Sequence, residues 1–298
     1  MIVDLRPVLV IGFNRPDFLE KALQGLLFLD RKIYISIDGP RNSHDENKVK
    51  KTIEIAEEFS KLNDTETKIR VSQSNLGCRL GVQAAIDWFF EFEVSGIILE
   101  DDIDFDFKFL DFCDANLKIY EKENRIFTIS GNNFVSEIVT KTLVLSRIPH
   151  VWGWATWKSR WEMYDREINN WNPSDWPAWF QELELPIRYK KILSGYFFSI
   201  SEFKIDTWDY QLIYTSLKNN LVNIHPKFNM NSNIGFSLSA THTKNYLNKP
   251  QLEKNSHLVD VSLQKLEDYT INNAYDTKYL ATRNKFRNRI SGIFNEFV

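Results

Sequence analysis

An α/β fold on a doubly wound, mostly parallel sheet is what this sequence predicts, on three observations. Short apolar runs that read as buried strands alternate with amphipathic helical segments through the first third of the chain. The run Gly96-Ile-Ile-Leu99 passes straight into Glu100-Asp-Asp102, so carboxylates stand at the carboxyl end of a central strand, where open α/β sheets bind ligands. Hydrophobic residues make up 43% of the 298, enough for a sizeable core in one large domain or two closely packed ones.

Pro7-Val-Leu-Val-Ile-Gly-Phe13 reads as the first buried strand. Asn14-Arg-Pro-Asp17 then opens a helix to about residue 29, with Pro16 at an early position where a missing N–H is tolerated. Residues 32–38 form a second strand that Gly39-Pro40 ends, and 45–62 form a charged amphipathic helix. A short strand at 69–71 leads into Asn75-Leu-Gly-Cys-Arg-Leu-Gly81, which reads as a glycine-punctuated loop. Residues 82–92 are then helical and deliver the chain to the acidic strand.

Beyond residue 107 the alternation loosens. A helix to about residue 121 is followed by strands at 126–130 and 142–146, then by the dense aromatic cluster His150-Val-Trp-Gly-Trp-Ala-Thr-Trp157, which Trp161, Trp171, Trp176 and Trp179 continue. Residues 204–217 look helical and 221–224 look like a strand. Residues 229–243 are polar and carry the weak periodicity of a loop. In the tail, Phe286, Ile290, Ile293, Phe294 and Phe297 fall at helical spacing beside Arg283, Lys285, Arg287 and Arg289. Such a helix suits an anionic membrane surface, or docks on the body of the protein or on a second subunit.

The net charge of −3 argues against general nucleic-acid binding, which needs a basic face. Aromatic content is high at 14%, and aromatic surfaces suit sugars as well as cores. Cys78 and Cys113 are too few for a disulfide framework, which points to a reducing compartment. The apolar run from Val8 to Phe13 is far too short for a membrane span and lacks the layout of a signal peptide. The expected location is cytoplasmic, with peripheral contact at the inner membrane face through residues 279–298.

Glu100, Asp101 and Asp102 repel one another when packed together and call for a cation; hard oxygen ligands suit Mn²⁺ or Mg²⁺, which could hold a diphosphate. The alternative is a solvated acidic loop capping the next helix, a role that Asp104 and Asp106 also fit.

Taken in order, the first strand, Asp38, the acidic strand end and the Trp-Gly-Trp cluster resemble the nucleotide-sugar glycosyltransferases of the GT-A fold, and most of all the N-acetylglucosaminyltransferase I type and its bacterial relatives. The similarity runs from about residue 7 to residue 243. It implies a GT-A domain over 1–245, with a nucleotide-sugar-binding half at 1–106, an acceptor-binding half at 107–245, and a helical extension at 246–298.

The resemblance also assigns roles. Ile11 and Phe13 would lie beside the base and Arg15 near the diphosphate, where its planar fork suits phosphate oxygens. Asp38 would accept a hydrogen bond from the base, although a turn-forming role before Gly39-Pro40 fits it equally. Arg79 falls in a loop that closes over the nucleotide. Glu100 would bind the donor sugar, Asp101 the ribose and Asp102 the metal. Gly153 and Trp154 would shape the sugar pocket, with a core role open for the tryptophans. Asn233-Ile-Gly-Phe236 and Ala240-Thr-His-Thr243 look like the loop that orders over the donor, with His242 a candidate metal ligand. In Lys204-Ile-Asp-Thr-Trp-Asp-Tyr210, Asp209 fits the base that deprotonates the acceptor hydroxyl, and Asp206 is the alternative, itself a good helix cap. The implied activity is inverting, metal-dependent transfer from a nucleoside-diphosphate sugar, with UDP favoured, to a glycan or lipid-linked glycan of a bacterial surface polysaccharide. A sugar-phosphate nucleotidyltransferase and a non-catalytic carbohydrate-binding protein are the alternatives.

Overall fold

The computed structural model describes residues 5–235 and 270–294, with side chains as far as Arg283. Its centre is an eight-stranded mixed sheet in the order β3-β2-β1-β4-β8-β6-β9-β7. The strands are β1 (Val8–Gly12), β2 (Ile33–Ile37), β3 (Thr67–Val71), β4 (Ser95–Glu100), β6 (Ile126–Ser130), β7 (Leu143–Ser146), β8 (Trp154–Trp157) and β9 (Val222–Pro226). β1 pairs in parallel with both β2 and β4, and β2 in parallel with β3. β8 runs antiparallel between β4 and β6, while β6 and β9 are again parallel and β7 closes the edge antiparallel. Chain order therefore reverses between β1 and β4. In an open α/β sheet, such a reversal leaves a crevice at the carboxyl ends of the strands.

Strands β1, β2 and β4 are buried on both faces, with β3 half-exposed at the edge, and period-two alternation divides their side chains between two cores. Val8 and Val10 of β1 join Ile97 and Leu99 of β4 on one face. They pack on α1 (Pro16–Gln24), α2 (Ser43–Leu62) and α4 (Phe107–Ile119). Leu9 and Ile98 point to the other face, against α3 (Gly77–Phe92) and α8 (Asp209–Lys218). Gly96 is required there: a Cβ would lie 2.3 Å from the Phe89 ring of α3. A third core gathers beneath β7 from Trp171, α6 (Ala178–Gln181), α7 (Ile187–Ser201) and the start of α9 (Asn273–Phe294), with a short α5 (Lys158–Trp161) following β8. No helix among the described residues is long and apolar enough to cross a membrane.

Several elements depart from the sequence reading, each for a physical reason. The glycine-punctuated loop is the first turn of α3, because Gly77 adopts φ +78° and carboxylates from elsewhere in the chain receive the helix's leading amides. The helix expected from residue 204 begins at Asp209, after Phe203 turns at φ +56°. Residues 231–233, read as loop, form β10 (Asn231–Asn233), which pairs antiparallel with β5 (Ile103–Phe105); polar side chains hid this strand from any hydrophobic alternation. Trp154 to Trp157, read as a cluster, is the strand β8. α9 starts earlier than the tail pattern suggested and packs on the body, with Tyr275, Tyr279 and Leu280 buried and Ile271 bridged to Leu145 of β7. The apolar residues from Phe286 onward lie outside the described side chains.

Candidate active site

The ends of β1, β2 and β4, the first turn of α3, the start of α8 and the segment after β10 meet at the switch point. β4 carries Glu100, Asp101 and Asp102 out of the sheet, and the backbone of Asp101 remains tied to β1 by donation from its N–H to the Ile11 carbonyl at 2.9 Å. Ile11 and Phe13, at the end of β1, are part-buried, and the Arg41 guanidinium lies over the Phe13 ring at 5.1 Å.

Arg15, just before α1, answers the acid cluster. Its Nε donates to Asp101 Oδ2 at 3.3 Å, its Nη2 to Asp101 Oδ1, and its Nη1 to Asp102 Oδ2 at 2.9 Å. Asp102 also accepts from Asn233 Nδ2 at 3.2 Å, and its carbonyl accepts from the Ile234 N–H at 2.9 Å. A Cβ on Gly235 would lie 2.2 Å from Asp102 Oδ2, so a glycine is what allows the backbone to pass there. Burial pushes the Glu100 carboxyl up to about 8, with Asp102 adding to the push and Arg15 pulling it back. Burial also raises Asp101, against the pull of Arg15.

The expected divalent ion does not find a ready cage in these residues. Among the described residues no group of three His, Cys, Asp or Glu side chains converges. Arg15 and Asn233 already engage both oxygens of Asp102, and Arg15 supplies the positive charge that the cluster needs. His242, the other expected ligand, lies outside the described residues, as do Phe236 and Ala240 to Thr243.

Asp38, for which the resemblance implies a contact with the base, has a structural role. It accepts from the N–H groups of Gly39, Leu76 and Gly77 and from Asn75 Nδ2, at 2.9 to 3.1 Å, and so anchors the entry to α3. Asp206, the alternative base, completes that anchor: Oδ2 accepts from the Cys78 N–H at 3.0 Å and Oδ1 from the Arg79 N–H at 2.8 Å. Two distant carboxylates thus satisfy amides that a helix N-terminus leaves without intrahelical partners. The sequence reading of Asp206 as a helix cap is right in kind, but the helix it caps is α3.

Three further residues that the resemblance assigns to the site also have structural partners. Arg79 is buried in the first turn of α3, donating to the Arg166 carbonyl at 2.8 Å and lying over the Phe203 ring at 4.9 Å, and is not a side chain of an open loop. Gly153 has φ +76°, and Asn231 Nδ2 fills the place of a Cβ, 2.1 Å away. Trp154 is buried in β8 and stacked on Trp208 at 5.8 Å, so it belongs to the core.

Asp209 opens α8 and is only about a fifth exposed. It accepts from the Thr207 hydroxyl and from Arg283 Nη2. Three residues earlier Asp206 is bonded to the first turn of α3, which brings the start of α8 and Asp209 to that side of the crevice, and the charge of Asp209 adds to the raising of Glu100 and of the Cys78 thiol. Sequence reading gave Arg283 only to the basic tail; its spacing from Tyr279 marks one helix face, but nothing local signals a partner 74 residues away. Asn14 and Asp45 were also missed: Asn14 Nδ2 donates to Asp45 Oδ1 at 2.7 Å, and Arg41 pairs with the same carboxylate, fixing the loop beside Phe13. A cavity of about 140 Å³ between α1 and β5 opens beside Asp101, a volume suited to a few waters rather than a nucleotide.

Compared with known proteins, the chain matches no family model and no curated protein sequence.

Proposed function

We propose that this protein is an inverting glycosyltransferase of the GT-A type, passing a sugar from a nucleoside diphosphate to an acceptor hydroxyl in the synthesis of a bacterial surface glycan. The observation that carries the reading is an arginine fork on paired aspartates at the topological switch point, with the segment that leads into α8 and its Asp209 bonded to the first turn of α3 beside it. UDP-sugars are the favoured donors and a glycan or lipid-linked glycan the acceptor, on the strength of the sequence resemblance alone.

The residues divide the chemistry between them. Arg15, which keeps one N–H on Nη1 and one on Nη2 beyond those given to Asp101 and Asp102, offers permanently charged donors to diphosphate oxygens. Asp209 accepts the proton of the acceptor hydroxyl, the freed oxygen bonds to the anomeric carbon from the face opposite the diphosphate, and the bond to the diphosphate breaks with its electron pair on the departing oxygen. Holding both reactants in one crevice makes the displacement effectively intramolecular. Divalent-metal dependence belongs to the proposal as an arm of its test, and no step is routed through it.

The test is a panel of UDP-, GDP- and dTDP-sugars, each with Mn²⁺, Mg²⁺ or chelator, assayed for donor consumption and for thermal stabilisation. Donor consumption that Asp209→Asn abolishes supports the reading. Pyrophosphate release from a nucleoside triphosphate and a sugar phosphate would replace it with a nucleotidyltransferase. Sugar binding without donor turnover would replace it with a carbohydrate-binding protein.

A further inference from the structure

The C-terminal helix, which the resemblance does not cover, enters the candidate site through one residue. Arg283 donates through Nη2 to Asp209, through Nη1 to the Tyr279 hydroxyl at 2.8 Å, and through Nε to the Tyr210 hydroxyl at 3.3 Å. Its guanidinium carbon lies 4.4 Å from the centre of the Tyr210 ring, within cation–π range. Tyr210 is itself stacked on Tyr196 of α7 at 4.2 Å, so the platform beneath the guanidinium is part of the third core.

The helix behind Arg283 is firmly seated. Tyr275, two turns back, is fully buried and donates its hydroxyl proton to Asn133 Oδ1 at 3.0 Å. Asp276 is also fully buried and accepts from the Ser146 hydroxyl at 2.5 Å and the Arg147 N–H at 3.2 Å. Tyr279, one turn back, packs on His150 with ring centres 4.1 Å apart. A guanidinium delivered from such a base has little freedom, and the carboxylate that it holds inherits that order. The Thr207 hydroxyl holds the other oxygen of Asp209, so the plane of the carboxylate is fixed from both sides.

We propose that Arg283 is a positioning residue for Asp209, and that α9 completes the candidate active site by orienting this carboxylate and keeping it ionised. The inference rests on the glycosyltransferase reading, in which Asp209 takes the acceptor proton. An adjacent guanidinium favours the charged form of a carboxylate, so the pair extends the active range toward acid pH. Burial opposes the charge of Arg283, and Tyr210, Tyr279 and Asp209 together outweigh it, which keeps the cation in place.

The experiment uses the full chain and compares wild type with Arg283→Met and Arg283→Lys. Two readouts are taken: the pH profile of kcat/KM for transfer, and the titration of the Asp209 side-chain carboxyl by ¹³C NMR, with Asp209→Asn assigning the resonance. In Arg283→Met the acid limb of the profile and the carboxyl titration both move up by about one pH unit, and kcat falls about 10- to 100-fold. Arg283→Lys keeps the charge without the fork; it shows a smaller movement of both and keeps the comparison available if the methionine variant does not fold. An Asp209 titration that is the same in wild type and in the folded variants overturns the proposal, and so does a fall in kcat with an unmoved acid limb. Absence of transfer by the wild type with every donor sinks the glycosyltransferase reading and the proposal with it, whereas undiminished transfer by Arg283→Met overturns the proposal alone.

Discussion

Arg15 and Asp101, 86 residues apart in the chain, meet where β1 and β4 end, joined by donation from Nε to Oδ2 at 3.3 Å and from Nη2 to Oδ1. Asp101 is 1% exposed while the side chain of Arg15 keeps 23%, so the cation is the partner that faces the crevice. The acid cluster thereby receives a positive charge from inside the protein, and that charge is its more exposed member.

Arg15→Met should destabilise the fold by about 3 kcal/mol, because it strands a buried carboxylate without its charge partner. Adding Asp101→Asn should recover most of that loss. Nucleotide binding should fall in the single variant and stay low in the double variant. Urea denaturation and calorimetric titration with UDP check the two halves; recovery of binding along with stability would show that Arg15 serves the fold alone.

The two candidate bases should separate cleanly. Asp206→Ala removes the acceptor for two leading amides of α3 and should cost about 1–2 kcal/mol in stability. Asp209→Asn loses a partly exposed ion pair, worth about 1 kcal/mol or less, yet should lower transfer by about 10²- to 10⁴-fold. A larger loss of transfer in Asp206→Ala than in Asp209→Asn, at matched folded fractions, would reverse the assignment.

The parallel half of the sheet was legible because buried strands and amphipathic helices alternate there with clear periods. Val8 to Gly12 and Ser95 to Glu100 are apolar runs that few other arrangements accommodate. β10 was not legible: Asn-Ser-Asn owes its strand geometry to backbone pairing with β5, which no side-chain pattern announces. At the site, the carboxylates were legible but their tertiary partners were not: the bonds of Asp38 and Asp206 to the first turn of α3 arise only when the fold brings these segments together. Arg283 could not be assigned, since its partner is a tertiary one.

Glu100→Gln should change the pH dependence of stability in a defined direction. An unfolded Glu titrates near 4.5 and the folded one near 8. Between those values the folded chain binds a proton that the unfolded chain lacks, so the stability of the wild type falls as pH rises. The advantage of the variant should therefore grow from about pH 4.5 to about pH 8, by at most about 1.4 kcal/mol per pH unit, and then level off. Denaturation curves across this range check it; an advantage that shrinks with rising pH would contradict the part-buried, carboxylate-facing setting of Glu100.

His150 should report acid instability. It is buried against Phe134, His225, Tyr275 and Tyr279, and burial and His225 hold it well below 6.5, with Arg283 adding to the effect against a bond to the Asn132 carbonyl. Below pH 6.5 the unfolded chain takes a proton that the folded one refuses, so stability falls as pH falls. His150→Phe should flatten that loss by up to about 1.4 kcal/mol per pH unit, leaving the share of His225, itself pushed down to about 3 by burial. An acid limb as steep in the variant as in wild type would contradict this.

Amide hydrogen exchange with and without saturating UDP, GDP or dTDP, in Mn²⁺ and in chelator, tests the central claim most directly. One nucleoside diphosphate should slow exchange at the ends of β1 and β4, residues 11–15 and 100–102, and Arg15→Met should abolish this protection. Protection confined to other parts of the sheet, or none with any nucleotide, would contradict it.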